Sequence, residues 1–208
     1  MTLSIRTATH ADIGLIAQFI RALADYEKLL HEVRFDEAVL AEKLFGVRPY
    51  AEVLIGEIDG SPQGFALFFH NFSTFEGKPG IYLEDLFVMP TARGFGLGKA
   101  LLVHLAGLAV ARGYARFEWS VLDWNTPAIG FYKAIGAKLM DEWTVMRVEG
   151  ALKMSLARFG MRHGSWGDDF HHYHNENHAL EILDGRIARL MASTGLVNLE
   201  LDAWLALS

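Results

Sequence analysis

The chain has 208 residues, 51% hydrophobic and 21% charged, a mixture that supplies a sizeable globular core. The formal net charge of −6 argues against nucleic acid or anionic membranes as partners, because an acidic surface forfeits the phosphate attraction, while a cationic small substrate suits it. Without cysteines there can be no disulfide, thiolate metal site or cysteine nucleophile, and with no apolar leader or bilayer-length apolar run the chain is expected in the cytoplasm.

In chain order, Ile5 to Thr7 reads as a short strand. Thr9 and Asp12 have the spacing of a capping box, with Asp in place of Glu. Ile13, Ile16, Ile20 and Leu23 then recur at helical spacing, which predicts a helix from about Ala11 to Lys28. A second helix is predicted over Asp36 to Phe45. Ala51 to Ile58 and Gly64 to Phe72 read as strands joined by a turn at Asp59-Gly60. Ser73 to Gly80 holds two glycines and a proline and is expected as loop. Ile81 to Val88 is a strand carrying Glu84 and Asp85, and Pro90 ends it. Arg93-Gly94-Phe95-Gly96-Leu97-Gly98 comes next, followed by an apolar helical pattern from about Lys99 to Arg112 with Gly113 at its C-cap. Arg116 to Val121 is the next strand. Thr126-Pro127 opens a short helix that ends near Gly136. Two more strands are expected, Lys138 to Met140 and Trp143 to Val148. The alternation of strands and helices predicts a mixed α/β sheet.

The chemistry is carried by the strand, the glycine-rich loop and the helix that follows it. Glycines permit tight backbone turns, so that successive N–H groups converge on an anion, and the helix N-terminus adds its positive end. Such a site suits a pyrophosphate. A P-loop would need glycine where Arg93 stands and Ser or Thr where Ala100 stands. A dinucleotide fingerprint would need its third glycine one residue later and the loop after the first strand.

Arg-x-x-Gly-x-Gly opening a helix after a strand resembles the coenzyme A-binding signature of the GNAT superfamily of N-acetyltransferases. The resemblance runs from about Leu3 to Val148. It is close to the spermidine/spermine (diamine) and thialysine acetyltransferase branch, through Tyr26-Glu27-Lys28, Tyr82 to Met89, Arg93 to Gly98, Val121 to Asn125, Pro127 and Phe131-Tyr132. It implies a mixed, mostly antiparallel sheet with a splayed strand pair flanked by helices, followed here by a C-terminal helical extension. It also implies acetyl-CoA as co-substrate, no required metal and a homodimer. The acceptor would be a primary amine of a small basic molecule, a diamine or polyamine. Thialysine, another amino acid and an aminoglycoside stay open as acceptors, and so does a non-catalytic acetyl-CoA-binding module.

The resemblance assigns roles to individual residues. Backbone groups of Leu86, Phe87 and Val88 would pair with the pantetheine arm as an added strand. An N–H of Leu86 or Val88 would stabilise the oxyanion. Arg93, Gly94, Phe95, Gly96, Leu97, Gly98 and Lys99 would hold the pyrophosphate. Asn125, Thr126, Pro127 and Ala128 would line the cofactor's other side. Tyr132 would protonate the departing thiolate, and Glu84 would take the proton of the arriving ammonium, directly or through water. Tyr26, Glu27, Glu84, Asp85, Glu118, Trp119, Ser120 and Asp123 would surround the acceptor. Because side chains alternate along a strand, Glu84 and Asp85 should face opposite ways.

The acetyltransferase domain is expected to span residues 1–156. Residues 157–208 form a glycine-rich linker and a histidine-rich extension with helical patterns at about Glu176 to Met191 and Leu199 to Leu207. His174 and His178 would share a helical face. Tyr173-His174-Asn175-x-x-His178-Ala179 resembles the opening of His-Asp metal-dependent phosphohydrolases, but no His-Asp dipeptide is present. A domain fragment, a docking element and a dimer contact are the readings open for this segment.

Overall fold

A computed structural model describes residues 1–154. The chain divides into two compact units, Met1–Ala137 and Lys138–Ser208, and the sheet lies in the first. Strands are β1 (Leu3–Thr7), β2 (Glu52–Ile58), β3 (Ser61–Ser73), β4 (Lys78–Val88) and β5 (Phe117–Trp119), in sheet order 1-2-3-4-5. Neighbours pair antiparallel except β4 and β5, which are parallel and joined through a helix.

Helix α1 (Ile13–Tyr26) follows a one-turn 3-10 segment whose start is held as the sequence predicts: the Thr9 N–H donates to Asp12 Oδ2 at 2.7 Å. Asp12 also takes the Arg6 guanidinium at 2.8 Å, which holds its carboxyl well below the usual carboxylate range. Helix α2 (Glu37–Phe45) is capped by Asp36, which accepts from the N–H groups of Ala38 and Val39. α1 and α2 cover one sheet face, where Ile16, Phe19 and Leu44 meet Val53, Ile55, Phe65 and Phe87. α3 (Leu97–Ala111) covers the other, with Leu97, Leu101 and Leu105 on Leu54, Ala66, Phe68, Ile81 and Leu83. α4 (Thr126–Ala134) closes the unit.

Leu83 and Phe87 are four residues apart, yet they serve opposite cores. Strict alternation forbids this. The register against β3 slips between Leu67 and Phe68, leaving Glu84 as an extra residue in β4, and this bulge inverts the alternation.

Three expectations change. The loop expected over Ser73 to Gly80 is shorter, because β4 begins at Lys78. Pairing with the far end of β3 outweighs the local cost of Pro79 and Gly80, and a Cβ on Gly80 would lie 2.5 Å from Asn71 Oδ1 and 2.9 Å from the Arg116 carbonyl oxygen. β5 has only three residues instead of the six predicted. The strands expected over Lys138 to Met140 and Trp143 to Val148 are not formed. An apolar alternation makes a strand only where a neighbouring edge can receive it. Here Trp143, Val145 and Met146 stay exposed and find no partner strand among the described residues. The histidine-rich extension lies outside the described residues.

Candidate active site

β5 pairs with β4 only from Ile81 to Leu83, while β4 runs on to Val88. From Glu84 to Val88, therefore, one edge of β4 has no strand partner among the described residues. The bulge falls where the partner stops, and so the split in the sheet and its bend coincide. Met89 N–H donates to the Gln63 carbonyl at 2.8 Å, and Phe87 and Asp85 register with Phe65 and Leu67. Alternate residues of an antiparallel strand bond to the same neighbour. Leu86 and Val88 therefore turn their backbone groups to the open edge. The Val88 carbonyl already accepts from Arg93 Nε at 3.1 Å.

The glycine-rich loop leads from β4 into α3. Gly94 and Gly96 have φ of +84° and +87°, a left-handed backbone that side-chain-bearing residues avoid. A Cβ built on either meets nothing within 4 Å, so the glycines serve backbone conformation and not internal packing. Leu97, fully buried, pins the first turn of α3 to the sheet. Phe95 and Lys99 are exposed around the loop. Turned N–H groups at a helix N-terminus, with room in front of them, suit an anion such as a phosphate.

On the far side of the split, Asn125 Oδ1 caps α4 by accepting from Ala128 N–H, and Pro127 sits in the first turn. One turn further on, Tyr132 packs edge-on against Trp119 at 5.1 Å. Burial raises its phenol pKa, helped by Glu27 and Tyr26. The end of α1 supplies the third wall. Lys28 adopts φ +62°, and Leu29 N–H donates to the Ala24 carbonyl at 2.7 Å, a left-handed helix stop that presents Tyr26 and Glu27. Burial raises the Glu27 carboxyl pKa. Asp85 shares the α1 face of β4 with Phe87. Its carboxyl is pushed up to about 7, first by burial and then by the negative charges of Glu84 and Glu27. Glu84, at the bulge, is exposed.

Tyr26, Glu27, Glu84, Asp85, Arg93, Asn125 and Tyr132 thus gather at one end of the sheet. Some expected acceptor residues have other neighbours. Glu118 faces the Arg116 guanidinium at 2.8 Å and accepts from Asn71 Nδ2 at 2.6 Å. Ser120 Oγ lies 2.6 Å from the Tyr82 hydroxyl. Trp119 packs between Phe117 and Tyr132, and Asp123 is exposed. Sequence reasoning missed the bridging place of Arg93, whose guanidinium carbon lies 4.6 Å from the Tyr26 ring centre. It also missed Trp124, 6.1 Å from the same ring. No local pattern signals contacts between residues so far apart in the chain.

The profile of the acetyltransferase (GNAT) family matches residues 18–137. A thialysine N-epsilon-acetyltransferase of Mus musculus is 37% identical over 164 residues, covering 74% of this chain and 96% of its own. An L-ornithine N5-acetyltransferase of Arabidopsis thaliana is 32% identical over 191 residues, covering 70% of this chain and 84% of its own. Among solved structures, an integron cassette protein from the mobile metagenome of V. cholerae superposes with a TM-score of 0.64 at 29% identity, covering 76% of this chain and 99% of its own.

Proposed function

Because the chain belongs to the GNAT family of acetyltransferases, we propose that it carries the acetyl group of acetyl-CoA to a primary amine of a small diamine or polyamine, by direct attack through a tetrahedral intermediate. Acetyl-CoA supplies the activated acyl group, and no protein nucleophile is required. The observation that carries the reading is the split between β4 and β5, with carboxyls on one side and a half-buried phenol on the other. Leu86 and Val88 offer N–H groups along the open edge for the pantetheine arm and the oxyanion. The turned backbone of Gly94 to Lys99 holds the pyrophosphate. Asn125 to Ala128 line the far wall.

The carboxyl group of residues selects a cation. Glu27 and Asp85 draw the ammonium in, and exposed Glu84 takes its proton, directly or through water. Tyr132 returns a proton to the departing thiolate. Thialysine and ornithine, the acceptors for which the relatives are named, both carry a primary amine at the end of a flexible chain, which accords with this reading. The acetyltransferase activity is tested by offering acetyl-CoA with a panel of diamines, polyamines, thialysine, ornithine and an aminoglycoside, and following thiol release. Acetylation of none of them would overturn it.

Acetyl-CoA at a hundred times its dissociation constant is expected to stabilise the fold by about 2.7 kcal/mol. Differential scanning calorimetry checks this, and no shift at millimolar ligand would remove the loop from cofactor binding.

Asp85→Asn is expected to act on acceptor affinity and its pH dependence. Asp85 ionises near pH 7, so attraction for the ammonium grows as pH rises from 6 to 8, and the acceptor KM should fall across that window. Asn removes the charge, so KM should be raised at pH 8 and flat with pH. The same change is expected to stabilise the apo-protein. A carboxyl raised from 3.8 to about 7 contributes stability below pH 4 that is lost as pH rises through 7, and Asn avoids that loss. At pH 8 the melting temperature should rise by roughly 2–4 °C per kcal/mol relieved. An unchanged KM profile would show that Asp85 does not meet the cation.

A further inference from the structure

α4 carries the proposed acid, yet none of its residues is fully buried. A nine-residue helix without a buried face is placed by its few contacts and not by a packed core. Within it Tyr132 has Trp119 beside it. At its N-terminus stands Asn125, whose Oδ1 accepts both from Ala128 N–H and from the Tyr26 hydroxyl, each at 3.4 Å. The Tyr26 ring in turn lies under the Arg93 guanidinium at 4.6 Å, and Arg93 Nε is fastened to the Val88 carbonyl at 3.1 Å. One side chain at the end of α1 thus touches both walls of the split. One contact leads to the loop and open edge of β4, and the other to the cap of the helix that bears Tyr132.

We propose that Tyr26 is a positioning residue that aligns α4, and with it Tyr132, to the glycine-rich loop through Asn125 and Arg93. The inference rests on the acetyl-transfer reading and refines it. Proton donation tolerates little displacement, and an error near 1 Å can cost about a hundredfold in rate. The hydroxyl-to-amide bond is exposed and adds little to global stability. Its effect is directional, since it fixes the carboxamide that starts α4. The left-handed Lys28 serves the same end, because it stops α1 with Tyr26 turned toward Trp124 and Asn125.

The test uses the full-length protein. Tyr26→Phe keeps the ring beneath Arg93 and removes only the hydroxyl. The expected result is a kcat lowered roughly tenfold, with KM for spermidine and thialysine and Kd for acetyl-CoA unchanged. Amide hydrogen exchange at Phe131 to Ala134 should quicken. In an Asn125→Ala background, Tyr26→Phe should have no further effect on kcat, because both changes break the same tie. A raised acceptor KM with kcat intact would overturn the proposal and make Tyr26 an acceptor contact. Full kcat, or additive effects in the double variant, would overturn it as well. Should the wild-type protein acetylate no amine, the functional reading fails separately. The tie is then judged by exchange alone, and unchanged protection of α4 in Tyr26→Phe overturns it.

Discussion

Tyr132→Phe is expected to lower kcat by about 10²- to 10⁴-fold, the usual weight of general acid catalysis, while leaving the Kd of acetyl-CoA nearly unchanged. The ring contributes packing, through its edge contact with Trp119 and its place beside the α3-side core, and phenylalanine retains both. Only the proton is lost. Burial and the nearby Glu27 charge raise the phenol pKa above its ordinary value near 10. The group is therefore protonated throughout the neutral range and adds no pH limb there. Single-turnover acetyl transfer, with calorimetric measurement of cofactor affinity, separates chemistry from binding. A variant with full single-turnover rate would take Tyr132 out of the mechanism.

Gly96→Val is expected to abolish acetyl-CoA binding while the apo-protein still folds. The residue has φ +87°, so any side chain is strained there by about 1–2 kcal/mol, and a β-branched one more. No protein atom lies within 4 Å of the new Cβ, so the fold meets no clash. The methyl groups would instead occupy the approach to the turned N–H groups. Loss of two charge-assisted hydrogen bonds, each about 1.5–3 kcal/mol, weakens affinity by roughly 10²- to 10⁴-fold. The apo melting temperature should fall by a few degrees, about 2–4 °C per kcal/mol, and the shift on adding acetyl-CoA should vanish. A retained shift would mean that the pyrophosphate lies elsewhere.

Element type was legible wherever periodicity was long. Ile13, Ile16, Ile20 and Leu23 announced α1, and the apolar run after Gly98 announced α3, because burying one face imposes its period on the sequence. Chain ends and partners were less legible. The β4 start at Lys78 passes through Pro79 and Gly80, which local propensity assigns to loop. The alternation from Trp143 to Val148 fits a strand that the described structure does not form. At Lys78 the neighbouring edge of β3 decided the outcome.

The glycine spacing from Arg93 to Gly98 and the order strand, loop, helix are properties of the sequence by itself. They suffice for an anion-binding loop, since backbone dihedrals at Gly94 and Gly96 are a local matter. The acidic pair Glu84-Asp85 was equally visible. The difference between the two acids was not. Tertiary structure inserts the bulge at Glu84, leaves that carboxylate exposed, and buries Asp85 beside Glu27 until its carboxyl titrates near 7. It also engages Glu118 with Arg116 and Asn71, and brings Arg93, Tyr26 and Asn125 into one chain of contacts. Desolvation and pairing depend on what surrounds a group in space, and those surroundings come from residues up to 99 positions apart. The sequence determined which chemical groups the protein has and the local turns that present them; only the packing of α1, β4 and α4 around the split decided which of those groups are buried, charged and paired.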